Sequence, residues 1–167
     1  MNLIENAHFM SPAGERVPMS NNFTITGSKI TPAQRDGSLA KINKYSRSVQ
    51  LLRNSYDITI KVEREDPYVN GNMALSFYAK GPFGRRMIIT AVKYNGSDAV
   101  ESTTSKFIQT LPKWERYTNI LIPVTEVISY LTLKFESFDY NITQYMAMPQ
   151  LEEGDESSGF EFDSDGN

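Results

Sequence analysis

Six side chains are the best placed in this sequence for a binding role: Tyr78, Lys80, Tyr117, Asn119, Lys134 and Tyr145. A tyrosine ring stacks on the apolar C–H face of a sugar or against a partner side chain. Lysine and asparagine supply the donors and the acceptor that hydroxyls around that contact require. All six share one parity. If Ile58, Ile60, Leu75, Phe77, Leu131 and Leu133 face a core, then Tyr78, Lys80, Lys61, Thr132 and Lys134 face outward, and Tyr117, Asn119, Thr143 and Tyr145 go with them. The plainer alternative is that these tyrosines only cover a sheet, with their hydroxyls in water.

Catalytic chemistry is poorly provided for. There is no cysteine and one histidine, His8, with no acid or nucleophile near it in sequence. Glu63 and Glu65 stand two apart on one strand face and read as surface charge, not as a glycosidase pair. Gly81-Pro82-Phe83-Gly84 is a turn and lacks the spacing of a phosphate loop. The expectation is a protein that is not an enzyme and carries no cofactor.

The elements that must position these residues are strands. Ile58, Ile60 and Val62 alternate with polar residues, as do Leu75, Phe77 and Ala79, and Leu131, Leu133 and Phe135. Residues 86–94 are apolar on both faces, which predicts a central strand covered on both sides. Ile120 and Ile122 precede Pro123, and Ile142, Gln144, Met146 and Met148 predict a last strand ending at Pro149. Less regular strands are expected over 2–9, 23–30 and 45–53, with an exposed loop over 10–21. Asp66-Pro67, Asn70-Gly71, Gly81-Pro82 and Asn95-Gly96 separate the runs, and the two Asn-Gly pairs are hairpin or tight-turn signals. The best helical segment is a single short turn over 124–130. Many short strands between Gly/Pro turns predict an all-β antiparallel two-sheet sandwich.

The 167 residues fit one domain, expected over 1–153, followed by an acidic tail over 154–167. Seven of the 20 acidic residues fall from Glu152 onward, where no basic residue occurs, so the body before it is net basic. That separation suits a tail docking on a basic surface, with Arg85, Arg86, Lys41, Lys44 and Arg47 as its partners. Phe160 and Phe162 alternate with Glu161 and Asp163, as on an added strand, and these four are the expected assembly contacts. No apolar run approaches the roughly 20 residues that span a bilayer. Residues 1–8 lack the regions of a signal peptide, which predicts synthesis in the cytoplasm. No sustained basic stripe points to nucleic acid.

Four segments in order resemble the carbohydrate-binding jelly-roll modules. Asn2-Leu3-Ile4-Glu5-Asn6-Ala7-His8-Phe9 is similar to their opening strand, and Met73-Ala74-Leu75-Ser76-Phe77-Tyr78-Ala79-Lys80 to their central one. Trp114-Glu115-Arg116-Tyr117 resembles the segment that follows a threonine-rich stretch, here Ser102-Thr103-Thr104-Ser105. Met148-Pro149-Gln150-Leu151-Glu152-Glu153-Gly154 resembles the closing segment of many bacteriophage tail and fibre proteins.

The resemblance implies a jelly roll with its two ends together and Trp114 at the core or rim. It implies a virion protein of tail, fibre or capsid surface, assembled in the host cytoplasm. The implied partners are other virion proteins, further copies of the chain and a host cell-surface glycan, with neither nucleic acid nor membrane. The alternative is a free-standing carbohydrate-binding module of a glycan-degrading system. Many such modules hold a structural calcium with an acidic residue just after the opening Phe. Met10 stands there, so no metal is expected, although Glu5, Asn6 and Glu152 carry suitable oxygens.

Overall fold

The structure, a computed structural model, describes residues 2–4, 9, 23–26, 33–34, 37–42, 46–68 and 71–159, with the backbone alone for 23–26, 33–34 and 64–68. Its elements are β1 (Phe23–Thr26), β2 (Ala33–Gln34), α1 (Gly37–Ala40), β3 (Ser48–Leu51), β4 (Asp57–Tyr68), β5 (Gly71–Lys80), β6 (Arg86–Tyr94), β7 (Val100–Gln109), β8 (Glu115–Val124), β9 (Ile128–Ser137) and β10 (Gln144–Glu153). Two five-stranded antiparallel sheets result: a front sheet in the order β1-β4-β9-β6-β7 and a back sheet in the order β2-β3-β10-β5-β8. From β3 onward the chain changes sheet at every connection except β6 to β7, the crossing pattern of a jelly roll.

The period-two residues meet between the sheets. Ile58, Ile60, Val62, Met87, Ile89, Ala91, Leu131, Leu133 and Phe135 come from the front sheet, and Val49, Leu51, Met73, Leu75, Phe77, Ala79, Met146 and Leu151 from the back. Phe77 and Phe135 join the two layers edge to face, with ring centroids 5.3 Å apart. The chain ends are joined as well. Leu3 N donates to Leu151 O at 2.9 Å. The Asn2 side chain accepts from Leu151 N and donates to Pro149 O.

Several expectations change. Residues 124–130 form no helical turn, because Val124 ends β8 and Ile128 begins β9. Asn95-Gly96 is a hairpin signal as expected, and Asn95 Oδ1 accepts from Ser97 N and Ala99 N to close it. Gly71, at φ 146°, instead opens β5 in the opposite sheet from β4. β6 is covered on one face only among the described residues: Met87, Ile89 and Ala91 are buried, while Ile88, Thr90, Val92 and Tyr94 are half-buried. The last strand runs on through Pro149 to Glu153. A register shift between Ala147 and Gln150, with Met148 at φ 48°, absorbs the proline there. His8, Lys44, Tyr45 and residues 10–21 lie outside the described residues.

One buried group sits uneasily in this core. Lys93 follows the inward parity of Met87, Ile89 and Ala91 and is 1% exposed, with its Nζ donating to Thr104 Oγ1 at 2.6 Å. Burial pushes its ammonium below the ordinary 10.5. The unfolded chain therefore holds that proton more tightly, and the penalty, present at neutral pH, is relieved as pH rises toward 10.5. Lys93→Met keeps the volume and removes the charge. It is expected to raise stability by about 1 kcal/mol at neutral pH and to flatten the alkaline rise. Urea denaturation across the pH range checks both; a lower midpoint for the variant contradicts the account.

Candidate functional site

Each sheet has an outer face, and the two differ in kind. On the front face, cross-strand register sets side chains in rows. One row is Glu136, Ile88 and Phe107; the next is Thr59, Lys134, Thr90 and Ser105. Then come Lys61, Thr132, Val92 and Thr103, and last Glu63, Tyr130 and Tyr94. From Tyr130 to Glu136 the face runs six residues along β9, roughly 20 Å at the ordinary strand rise. Nothing among the described residues lies over it as a further layer.

Its floor is hydroxyl-rich and its two ends are aromatic. The Tyr94 and Tyr130 rings stack at 4.6 Å and 10°, and the Lys61 ammonium sits 4.5 Å from the Tyr130 centroid. Tyr130 is thus held between a ring and a cation and stands as a fixed wall. Its hydroxyl is pushed up from the usual phenol range, first by desolvation and then by Asp98. At the other end, Phe107 is 51% exposed and meets Phe138 edge-on at 5.4 Å. Two ion pairs lie along the strands, Lys61–Glu63 at 2.6 Å and Lys134–Glu136 at 3.4 Å. Such a strip has hydroxyl, ammonium and carboxylate groups for sugar hydroxyls and apolar atoms of Ile88, Val92 and the rings for sugar C–H faces.

The back face is already covered. Leu39 of α1 packs on Trp114, Ala147 and Met148, with Tyr78 and Tyr145 against them. Lys80 Nζ lies 5.3 Å from the Trp114 ring and 5.4 Å from that of Tyr145. Trp114 is buried here, outside the main core, and its Nε1 has no hydrogen-bond partner among the described residues. Beside this cluster, residues 154–159 fold back over the sheet as a strap. Glu152 accepts from Ser158 N at 2.8 Å, from Ser158 Oγ at 2.7 Å and from Gln150 Nε2 at 2.7 Å. Gln150 also donates to Gly159 O, and Arg116 donates to Ser158 O and Ser76 Oγ. Asn119 and Ser157 exchange two bonds, and Asn72 Nδ2 donates to Asp155 Oδ1.

The six expected binding residues are therefore dispersed. Tyr78, Lys80 and Tyr145 share the back face; Lys134 lies on the front one. Tyr117 turns inward, against expectation: it stacks on Phe77 at 5.7 Å and its hydroxyl donates to Gln109 O at 2.6 Å. The cause is a register shift opposite Leu75 and Phe77, with Asn119 at φ 54°, which adds a residue to β8 and reverses its parity. Asn119 itself is spent on the strap. Phe160, Glu161, Phe162 and Asp163 lie outside the described residues. Tyr94, Tyr130 and Phe107 escaped the sequence reading, although two aromatics in register on paired strands could have been found once β6 and β9 were known to be neighbours.

No ionisable pair converges on an enclosed site among the described residues. Glu101 and Glu126 share a hydrogen bond that raises Glu126 and, with Asn95, lowers Glu101, but Glu126 is exposed and Glu101 only half-buried. A cavity of about 550 Å³ between Gly71, Asn72, Pro123 and Gly154 has, among the described residues, Asp155 as its one ionisable lining group. No cluster of three metal-ligating His, Asp or Glu occurs among the described residues. Glu152, one of the oxygens considered for calcium, is committed to Ser158 and Gln150.

No family model and no curated protein matches the chain. Solved structures do. The TmCBM61 structure in complex with β-1,4-galactotriose aligns with a TM-score of 0.58 at 15% identity, over 92% of this chain and 99% of that one. The CBM22-1 xylan-binding domain of Paenibacillus barcinonensis Xyn10C aligns with a TM-score of 0.59 at 14% identity, over 95% and 97%. The enzymatically active domain of bacteriophage CBA120 tailspike protein 4 aligns with a TM-score of 0.58 at 12% identity; the match takes in 80% of this chain and only 19% of the tailspike. At these identities the likeness speaks for architecture, and the chain has the two-sheet antiparallel jelly-roll fold of carbohydrate-binding modules.

Proposed function

We propose that this chain is a non-enzymatic bacteriophage virion component that holds a host-surface glycan on the front face and associates with other virion proteins. The observation that carries the glycan reading is the front face, over which no further layer lies among the described residues and where rows of threonine, Lys134 and Glu136 lie between the Tyr94–Tyr130 wall and Phe107. The back face has its aromatic residues packed under α1, so Tyr78, Lys80 and Tyr145 serve that layer. The virion reading rests on the closing segment Met148-Pro149-Gln150-Leu151-Glu152-Glu153-Gly154 and on the fold shared with part of a tailspike. A second reading, a free-standing module of a glycan-degrading system, is favoured by the near-complete coverage of solved modules.

Calorimetric titration with β-1,4-galactan and xylan fragments, alongside an array of host cell-wall glycans, tests the site. Tyr94→Ala and Lys134→Ala are expected to weaken binding about tenfold each, from the loss of a stacking wall or a charged hydrogen bond. Tyr78→Ala and Tyr145→Ala are expected to leave it unchanged. The opposite pattern moves the site to the back face, and no binding at millimolar glycan removes it. Antibody labelling of intact particles separates a virion component from a free module.

A further inference from the structure

We propose that the loop end of the sandwich near Arg53 and Phe138 is a receptor for the acidic C-terminal segment, residues 160–167, of a second copy of this chain. This inference does not rest on glycan binding, although the patch shares Phe107 with one end of the front-face strip. The surface is made by the β3–β4, β5–β6 and β9–β10 connections together with the end of β7. The Arg53 guanidinium lies 4.0 Å from the Tyr140 centroid and 5.2 Å from that of Phe138. Arg53 also donates to Phe138 O, which fixes it to the loop. The Arg86 guanidinium sits 4.3 Å from the same Phe138 ring, and Phe107 meets that ring from the side. Tyr140 is 60% exposed, Phe107 51%, and Arg85 is exposed beside them.

Guanidinium groups fixed on exposed aromatic rings are the composition that dominates protein–protein contact energies. Here three arginines, Arg53, Arg85 and Arg86, stand with Asp139 of the same loop and Asp57 at the start of β4, while Glu136, in the row of Phe107, is paired with Lys134. Arg86 binds the Asp139 carboxylate through its backbone N–H at 2.8 Å and its side chain at 3.1 Å, and holds it below the usual carboxylate range. The patch keeps an excess of positive charge, so its occupant should be acidic and should carry apolar rings.

Phe160-Glu161-Phe162-Asp163-Ser164-Asp165-Gly166-Asn167 has that chemistry: three acids, two phenylalanines and no base. Extended, it would put Phe160 and Phe162 on one side and Glu161 and Asp163 on the other. Its starting point is set by the strap, because Gly159 O is held by Gln150, which lies opposite Ser76 in the middle of the back sheet. Eight extended residues reach roughly 26 Å. Phe107 and Arg86, by contrast, belong to the front sheet, so a tail returning to its own patch must travel along the back face and round the sandwich end. A neighbouring copy offers the same patch without that detour. Exit and receptor lie on different surfaces, so two copies can exchange tails reciprocally as a dimer, or each can pass its tail to the next in a ring or filament.

Charge reversal tests this with the full chain. Sedimentation velocity on the wild type is expected to show association that grows with concentration and weakens with salt. Arg53→Glu with Arg85→Glu is expected to reduce the association constant at least about tenfold, and Glu161→Arg with Asp163→Arg to do the same. Mixing the two variants should restore association between them, because each supplies the reversed partner of the other. Melting curves show that each variant is folded, and Arg85→Glu alone, which leaves the Arg53–Phe138 bond intact, is the second receptor variant. Three results each overturn the proposal: a wild type that stays monomeric at every soluble concentration, association indifferent to both reversals, or no recovery in the mixture.

Discussion

Replacing Phe77 with alanine is expected to cost about 3–5 kcal/mol of folding stability. Phe77 is fully buried and stacks on Tyr117 on one side while meeting Phe135 of the opposite sheet edge-on at 5.3 Å. It is the point where the two sheets and the β8 edge are held together, and the flanking Leu75 and Ala79 are strand residues that cannot swing into the space. The loss should appear as a lower urea midpoint with an unchanged slope. Phe77→Leu, which keeps most of the volume, should recover more than half of it. If alanine costs less than about 1 kcal/mol, the sheets are not locked at this ring pair.

Glu152→Ala is expected to release the strap over the back face without unfolding the sandwich. The substitution leaves the Ser158 amide without its acceptor and takes the shortest acceptor from the Ser158 hydroxyl and from Gln150, which keep only longer contacts to Ser158 and Gly159. Gln150 is fully buried, so its donor cannot turn to water while the strap stays shut. A loss of about 2–3 kcal/mol follows, which corresponds to roughly a hundredfold faster exchange of the Ser158 amide. Core amides in β5 and β9 should keep their protection. Equal acceleration everywhere would mean that Glu152 supports the whole domain and not the strap.

The same carboxylate makes the strap sensitive to acid. Burial alone would push the Glu152 carboxyl up, but bonds from the Ser158 side chain and amide and from Gln150 outweigh it and hold it below 4.5. A carboxyl depressed in the folded state stabilises that state fully above 4.5 and loses the contribution as pH falls through the folded value. Strap resonances in the wild type should shift on acidification below the ordinary carboxylate range, and Glu152→Ala should lack that transition.

The two perturbations have different reach because the strap and the core are built differently. The core is contiguous apolar packing across both sheets, so a void at Phe77 is felt by both. The strap is a set of local polar bonds to β5, β8 and β10.

The strands themselves could be read from residue types. Ile58, Ile60 and Val62, Leu75, Phe77 and Ala79, and Leu131, Leu133 and Phe135 alternate because each strand turns one face to the space between the sheets, and all nine side chains are in the core. β7 was invisible to this reasoning. Ser102-Thr103-Thr104-Ser105 lies on an edge strand, where neither face is fully buried and no apolar period is needed.

Parity says which side of its own sheet a residue occupies, yet it carries no label for the sheet. Lys134 and Tyr78 have the same outward parity and lie on opposite surfaces of the molecule. Parity also fails at bulges: the extra residue at Asn119 turns Tyr117 into the core, and the shift before Gln150 sends Met148 to the outer cluster. The amino-acid sequence thus determined an all-β sandwich and the identity of its buried residues, because burial and alternation are local. Only the tertiary structure decided which outward residues share a face. Strand order and β-bulges arise from long-range pairing, which no window along the chain contains.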